Sequence, residues 1–221
     1  MSAITKIKKG IKSVITKIDK KLSKAIFYSF IMSPSEKKLF DKTIRNSKNY
    51  MEFGMGGSTF RVLQKSNANV YSIDSSTDWI SLMREYKQIR KMEKERRLSL
   101  FHVDIGPTKE WGRPVGDDNK EKFPNYSSYI FNLINKDTID TVLIDGRFRV
   151  ACALKTILKC HQNMNFQIII HDFWNREQYH VLLKYFDEID KVESLGVFKI
   201  KNNINLNSIK EEYELYKYHI D

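Results

Sequence analysis

The chain has 221 residues, of which 41% are hydrophobic and 29% charged, and a formal net charge of +11. That length and apolar content fit one full domain with a real core, and exclude a disordered chain. No apolar run approaches the roughly 18–20 residues that span a bilayer, and lysines interrupt the N-terminus too often for a signal peptide, so a cytoplasmic protein is expected.

Most of the charge sits at one end. Residues 1–30 hold eight lysines and one acid, Asp19, for a net +7. The body is only mildly basic, so no nucleic-acid partner is expected. In this segment Ile4, Ile7, Ile11, Val14 or Ile15, Ile18 and Leu22 recur every three or four residues. The spacing predicts a basic amphipathic helical extension over residues 1–30, preceding a domain over 31–221. Its apolar stripe has three candidate partners: its own domain, another chain, or an anionic membrane surface met through residues 1–29. In the membrane case the extension is expected to be removable without cost to ligand binding, and the protein to be peripheral on the inner face of the membrane.

Ser33-Pro34-Ser35-Glu36 then reads as a capped helix start. From Asn49 onward strands and helices alternate. Strands are predicted at 50–53, 69–73, 98–103, 141–144, 166–170 and 192–200. Helices are predicted at 59–65, 78–97, 126–135, 148–160 and 175–189. This alternation implies an α/β fold: a doubly wound, Rossmann-like, mostly parallel sheet with helices on both faces. Val142-Leu143-Ile144 and Ile168-Ile169-Ile170 are uninterrupted aliphatic runs, as central strands buried on both faces require. The segment between Asp104 and Tyr126 is long for a loop and carries Trp111, which points to a substrate-facing lid. Cys152 and Cys160 lie eight apart in one predicted helix, too far for a disulfide, and read as reduced thiols in the core.

In a doubly wound sheet, ligands bind beyond the carboxyl ends of the strands. Each predicted strand ends there in a polar group. The loop Gly54-Met55-Gly56-Gly57-Ser58-Thr59 follows the first strand. Asp74 ends the second, Asp104 the third, Asp145 the fourth and His171-Asp172 the fifth. The glycine loop alone fits either a dinucleotide or another adenosine cofactor. Glu52, just before it, would repel a pyrophosphate and suits an ammonium. Asp74 stands at the spacing of an acid that accepts ribose hydroxyls, and Asp104 is placed to meet adenine.

The stretch Tyr50-Met51-Glu52-Phe53-Gly54-Met55-Gly56-Gly57-Ser58-Thr59 resembles the first motif of class I S-adenosylmethionine-dependent methyltransferases. Ser58 stands where a third glycine is common. Val70-Tyr71-Ser72-Ile73-Asp74 is similar to their second motif. Ile144-Asp145-Gly146-Arg147-Phe148-Arg149 and His171-Asp172-Phe173 are similar to a bacterial branch associated with surface-polysaccharide gene sets. The resemblance covers roughly residues 48–200. It implies S-adenosylmethionine as cofactor, held by Glu52, Gly54, Gly56, Gly57, Ser58, Thr59, Asp74 and Asp104. It also implies O-methylation of a saccharide or other small anionic acceptor in cell-surface polysaccharide biosynthesis. Asp145 and His171 are candidates for the base, and Arg147 and Arg176 for the acceptor's charge. Asp145 and Asp172 are similar to two carboxylates with which metal-dependent O-methyltransferases hold magnesium, so a divalent metal is an optional second cofactor. The competing reading is a non-catalytic, membrane-associated accessory protein of polysaccharide assembly with the same fold.

Overall fold

A computed structural model describes residues 14–163 and 166–220. The isoleucines at 4, 7 and 11 lie outside the described residues. Residues 14–19 are helical (α1). The elements that follow are α2 (Pro34–Ile44), β1 (Asn49–Phe53), α3 (Gly57–Lys65), β2 (Asn69–Asp74), α4 (Thr77–Arg84), α5 (Lys87–Lys94) and β3 (Leu98–His102). Next come a short hairpin of β4 (Thr108–Lys109) and β5 (Arg113–Pro114), then α6 (Phe123–Ser128), β6 (Thr141–Ile144), α7 (Arg149–Cys160) and β7 (Gln167–Ile170). The chain closes with β8 (Phe186–Val192), β9 (Leu195–Ile200) and α8 (Leu206–Tyr216).

Seven strands form one sheet in the order β3-β2-β1-β6-β7-β9-β8. Pairing is parallel from β3 to β7. β9 then enters antiparallel between β7 and β8. The central strands are buried on both faces, so their side chains alternate between two cores. Met51, Phe53, Val142, Ile144, Ile168 and Ile170 enter the core under α6, α7 and α8. Tyr50, Leu143 and Ile169 enter the core under α2, α3 and α5. The thiols of Cys152 and Cys160 are reduced and buried, and burial pushes that of Cys160 up to about 12.

Three elements differ from the sequence expectation, each for a tertiary reason. The single helix expected over 78–97 is two helices. The break falls at Glu85–Tyr86, where the Lys20 carbonyl accepts the Lys87 N–H and the Lys20 ammonium pairs with Glu85. The helix expected over 175–189 is a 3-10 segment over Glu177–Lys184 followed by β8. β8 is an exposed edge strand with a bulge between Glu188 and Asp190, so it lacks the alternation that marks a half-buried strand. α8 has no counterpart among the elements expected from sequence. Asn205 caps it by accepting from the N–H groups of Asn207 and Ser208, and Ile209 and Tyr213 pack it on the domain.

Residues 19–32 form a strap across the domain rather than a free extension. Buried Asp19 accepts from the Ile26 and Phe27 N–H groups at 2.5 and 3.1 Å. The Ala25 N–H donates to Gln88, and the Tyr28 ring stacks on Phe60 at 5.0 Å. A Cβ on Gly57 would lie 2.3 Å from the Ser29 carbonyl oxygen, so only glycine lets the strap cross the start of α3 this closely. Residues 19–29, the last third of the segment expected to be removable without cost to ligand binding, are thus part of the domain's packing.

Candidate active site

The carboxyl ends of β1, β2, β6 and β7 meet at a cavity of about 870 Å³. Gly54, Gly56, Gly57, Ser58, Asp74, Asp145, Arg147, His171, Asp172 and Arg176 all line it. The sheet therefore brings together most of the residues singled out in the sequence. It leaves three of them, Glu52, Thr59 and Asp104, out of the cavity wall.

Glu52 is fully buried on β1 beneath the glycine loop. Four hydroxyls donate to its carboxylate: Tyr50 at 3.0 Å, Ser58 and Ser72 at 2.7 Å, and Thr59. Ser72 reaches it because parallel pairing sets Glu52 directly beside Ser72. Burial raises the Glu52 pKa, and the four hydrogen bonds oppose that rise. A carboxylate so engaged buttresses the loop from below and is not free to meet an ammonium in the cavity. Ser58 and Thr59, which depart from the glycine-rich pattern, are the hydroxyls that tie the loop to it. The Thr59 hydroxyl also accepts the Gly56 N–H at 3.0 Å.

Asp104 is exposed. It accepts from the Gly106 N–H and the Lys122 ammonium, both at 2.8 Å, and so opens the following loop. Asp104, expected to meet adenine, is not among the residues that line the cavity. In chain position the nearest alternative is at the end of β2, where Ser75, Ser76 and Trp79 line the cavity. The Trp79 indole N–H donates to the Met55 carbonyl at 2.9 Å, which seats its ring beside the loop.

Asp74 sits at the cavity edge and accepts from the Ser76 N–H at 2.9 Å. Burial raises its pKa to about 6, against the backbone N–H bonds that favour the charge. Gly54 takes φ +91°, a left-handed conformation that disfavours other residues, and its Cβ position lies 2.7 Å from the Gly146 Cα. A Cβ on Gly146 would in turn lie 2.1 Å from the Tyr126 hydroxyl. The β1 and β6 loops are thereby locked together, with Tyr126 wedged behind them.

The opposite wall is a charged network. His171 Nδ1 lies 3.1 Å from Asp145 Oδ1, and His171 Nε2 lies 3.7 Å from Glu36. Arg149 is buried and clamps the ends of β6 and β7. It donates to the Gly146 and His171 carbonyls at 3.0 and 2.6 Å, and it pairs with Asp145 at 3.2 Å and Asp172 at 3.3 Å. Arg176 donates to Asp172 at 2.9 Å. Burial opposes charge on His171, but the Asp145 hydrogen bond and the carboxylates of Asp145, Asp172 and Glu36 outweigh it and raise its pKa. Burial likewise opposes the charge on Asp145, and His171 and Arg149 hold its pKa low. Glu36 was read from sequence only as a helix cap. It does close the capping box, but it is also buried against His171, a long-range contact with no local signal.

The donor set does not fit the metal expected at Asp145 and Asp172. Two guanidinium groups already occupy these carboxylates, and a divalent cation would be set against both. Among the described residues no group of three or more His, Cys, Asp or Glu is arranged to hold a metal ion. The adenosine cofactor does fit. A cavity of this size carries a half-buried carboxylate at the β2 end, and Gly56 opens onto space with nothing near its Cβ position.

The same architecture occurs in solved methyltransferase structures. A methyltransferase-like protein from Silicibacter pomeroyi is 22% identical, with a TM-score of 0.73 over 88% of this chain and 98% of that one. A methyltransferase from Podospora anserina, solved with S-adenosylhomocysteine bound, is 15% identical, with a TM-score of 0.53 over 78% of this chain and 80% of that one. No protein-family model and no curated protein matches the sequence. The chain thus has the Rossmann-like fold of the class I methyltransferases.

Proposed function

We propose that this chain is an S-adenosylmethionine-dependent methyltransferase that acts on a hydroxyl oxygen of a small anionic acceptor. The observation that carries the reading is one cavity walled on one side by the Gly54–Ser58 loop and Asp74, and on the other by the Asp145–His171 pair. S-adenosylmethionine supplies an electrophilic methyl group when bound. The chain's own residues then have three tasks. Asp74 accepts the ribose hydroxyls, and the loop backbone follows the amino-acid portion. Asp145 fixes the His171 ring through Nδ1, and Nε2, which lies beyond hydrogen-bond distance of Glu36, takes the acceptor's proton. Arg147 and Arg176 face the acceptor's charge. The similarity of the Asp145–Arg149 and His171–Phe173 stretches to a polysaccharide-associated branch favours a saccharide hydroxyl. Calorimetry with S-adenosylhomocysteine, followed by a methyl-transfer screen of cell-envelope sugar precursors, tests this. NAD binding in its place would end the reading, and cofactor binding without any acceptor would favour the non-catalytic accessory.

Asp74 gives the cofactor reading a pH signature. Its carboxyl ionises near pH 6 in the folded protein, above the ordinary aspartate value of about 3.9. Cofactor affinity is therefore expected to fall as pH drops through about 6, because the protonated acid loses an acceptor. Stability has the opposite sign. Ionising this buried group lowers stability as pH rises from about 4 to 6. Asp74→Asn should bind S-adenosylhomocysteine at least ~10-fold more weakly with a flat pH profile. It should also be more stable than wild type at pH 7, by about 1–3 kcal/mol. Calorimetry and urea unfolding across pH 5–8 measure both. A variant that retained affinity would remove Asp74 from the site.

We also propose that α1 and the strap together rest on an anionic membrane surface. Val14, Ile18, Ile26, Phe27 and Ile31 are each more than half exposed, and Lys17, Lys21 and Lys24 stand exposed among them. Apolar side chains ringed by lysines suit acidic lipid headgroups. No helix among the described residues is long and apolar enough to cross a membrane. Because Ser29, Phe30 and Ile31 line the cavity, truncation is a poor test. Replacing Ile26 and Phe27 by Glu changes only exposed side chains. Wild type should sediment with phosphatidylglycerol vesicles and not with phosphatidylcholine alone, and the double variant should lose roughly 10-fold or more in affinity. Equal sedimentation of the two proteins would refute the contact.

A further inference from the structure

The β4–β5 hairpin carries three features that do nothing for its own stability. First, Lys109 and Arg113 are directly paired across it, so two like charges share one face. Directly opposed like charges destabilise a strand pair. Among the described residues neither forms an ion pair, and both line the cavity. Second, Trp111 at the tip has φ +64°, a left-handed conformation that is costly for a bulky residue. Third, its indole is 71% exposed, although it too lines the cavity. A hairpin that sets two cations and an exposed indole toward a cavity is organised around something that enters it.

The hairpin is also held in place. A Cβ on Gly112, which has φ +68°, would lie 3.1 Å from Ser75 Oγ and 4.0 Å from Arg147 Cγ. The tip is therefore seated between the β2 end, where Asp74 lies, and the β6 end, where Asp145 and Arg147 lie. Lys109, Arg113 and Arg147 all line the cavity, with Glu110 as the one acid on the hairpin. Elsewhere in the wall Asp145 and Asp172 are held by Arg149 and Arg176, so their charges are already compensated.

We propose that this hairpin is an acceptor clamp that binds a sugar phosphate. The phosphoryl group lies between Lys109 and Arg113, and the apolar face of the sugar ring lies on Trp111. A phosphate dianion relieves the repulsion between the opposed cations more fully than a single carboxylate does, and its oxygens match the arginine fork. An exposed indole offers a flat apolar platform next to it. This deepens the methyltransferase reading and rests on it for the identity of the reaction, but binding at the clamp is measurable without the cofactor.

The test uses the full chain, with and without S-adenosylhomocysteine, titrated by calorimetry with glucose 1-phosphate, glucose, glucuronate and inorganic phosphate. Glucose 1-phosphate is expected to bind more tightly than any of the other three. The Lys109→Met/Arg113→Met double variant should weaken it at least 10-fold and leave glucose unchanged. Trp111→Ala should weaken glucose 1-phosphate and spare inorganic phosphate. All three positions lie on a two-rung surface hairpin, and circular dichroism with S-adenosylhomocysteine affinity reports whether each variant is intact. The clamp is overturned if glucose 1-phosphate binds no better than glucose, or if the double variant binds it as wild type does. It is also overturned if a short single-stranded oligonucleotide competes at the same residues with higher affinity. Loss of S-adenosylhomocysteine binding in wild type, with the phosphate results as expected, would sink the methyltransferase reading and spare the clamp.

Discussion

Glu52→Leu is expected to destabilise the domain by roughly 4 kcal/mol or more, measured by urea unfolding, whether or not any cofactor is present. The substitution removes the carboxylate that accepts from four buried hydroxyls: those of Tyr50, Ser58, Thr59 and Ser72. Each hydroxyl left without a partner in the interior costs about 1–3 kcal/mol, less whatever neighbours can supply. Glu52→Gln should be milder, because an amide keeps one acceptor oxygen but turns an NH2 toward donors. The two variants separate two roles. If Glu52 met the cofactor's ammonium directly, Glu52→Gln would weaken S-adenosylhomocysteine binding and hardly change the unfolding midpoint. Its buried, fully engaged position predicts the reverse order: the midpoint falls first, and affinity falls only as the loop loosens.

His171→Ala is expected to lower the rate of methyl transfer by about 10²–10⁴-fold, with S-adenosylhomocysteine affinity unchanged within a factor of about two. On the proposed reading the imidazole is the base and belongs to the Asp145–His171 pair rather than to the Gly54–Ser58 loop, so its loss should spare the cofactor's contacts. Asp145→Asn should share much of this loss, since an amide no longer enforces one tautomer at Nδ1 and a carboxylate that stabilises the imidazolium is gone. The pH profile supplies a check that a structural role would not give. A base must be neutral, and His171 is held above its ordinary pKa of about 6.5. The rate should therefore rise with pH and level off above that value. Glu36→Gln removes one of the carboxylates that hold the proton on the ring, so the profile should move to lower pH. A profile unmoved by that change, with full activity in His171→Ala, would take the imidazole out of the reaction.

The strand ends show how far a sequence reaches. Aliphatic runs such as Val142-Leu143-Ile144 can be buried on both faces only in the middle of a sheet, and polar residues that end them mark the ligand edge. Those signals are local, and Asp74, Asp145, His171 and the loop residues Gly54–Ser58 share one cavity. Orientation is different. Glu52 and Asp104 each stand at a strand end, and nothing within a few residues tells a side chain that faces the cavity from one that faces a neighbour. For Glu52 the decision lies with Ser72 on the adjacent strand, and for Asp104 with Lys122 across a loop. The start of edge strand β8 falls in the segment expected as helix because an exposed strand buries too little to show its period.

Composition, alternation and the spacing of strand-end acids thus determined the fold class, the edge of the sheet where the cavity lies and the strand-end part of its wall. These depend on hydrophobic periodicity and turn chemistry, which act over a few residues. Only the tertiary structure decided which acids are free and which are engaged. It alone set Glu36 beside His171 and Arg149 across two strand ends, laid the strap over Gly57, and seated the β4–β5 hairpin on Ser75 and Arg147. The reason is that buried charges and hydroxyls take partners wherever packing delivers them, across any separation along the chain.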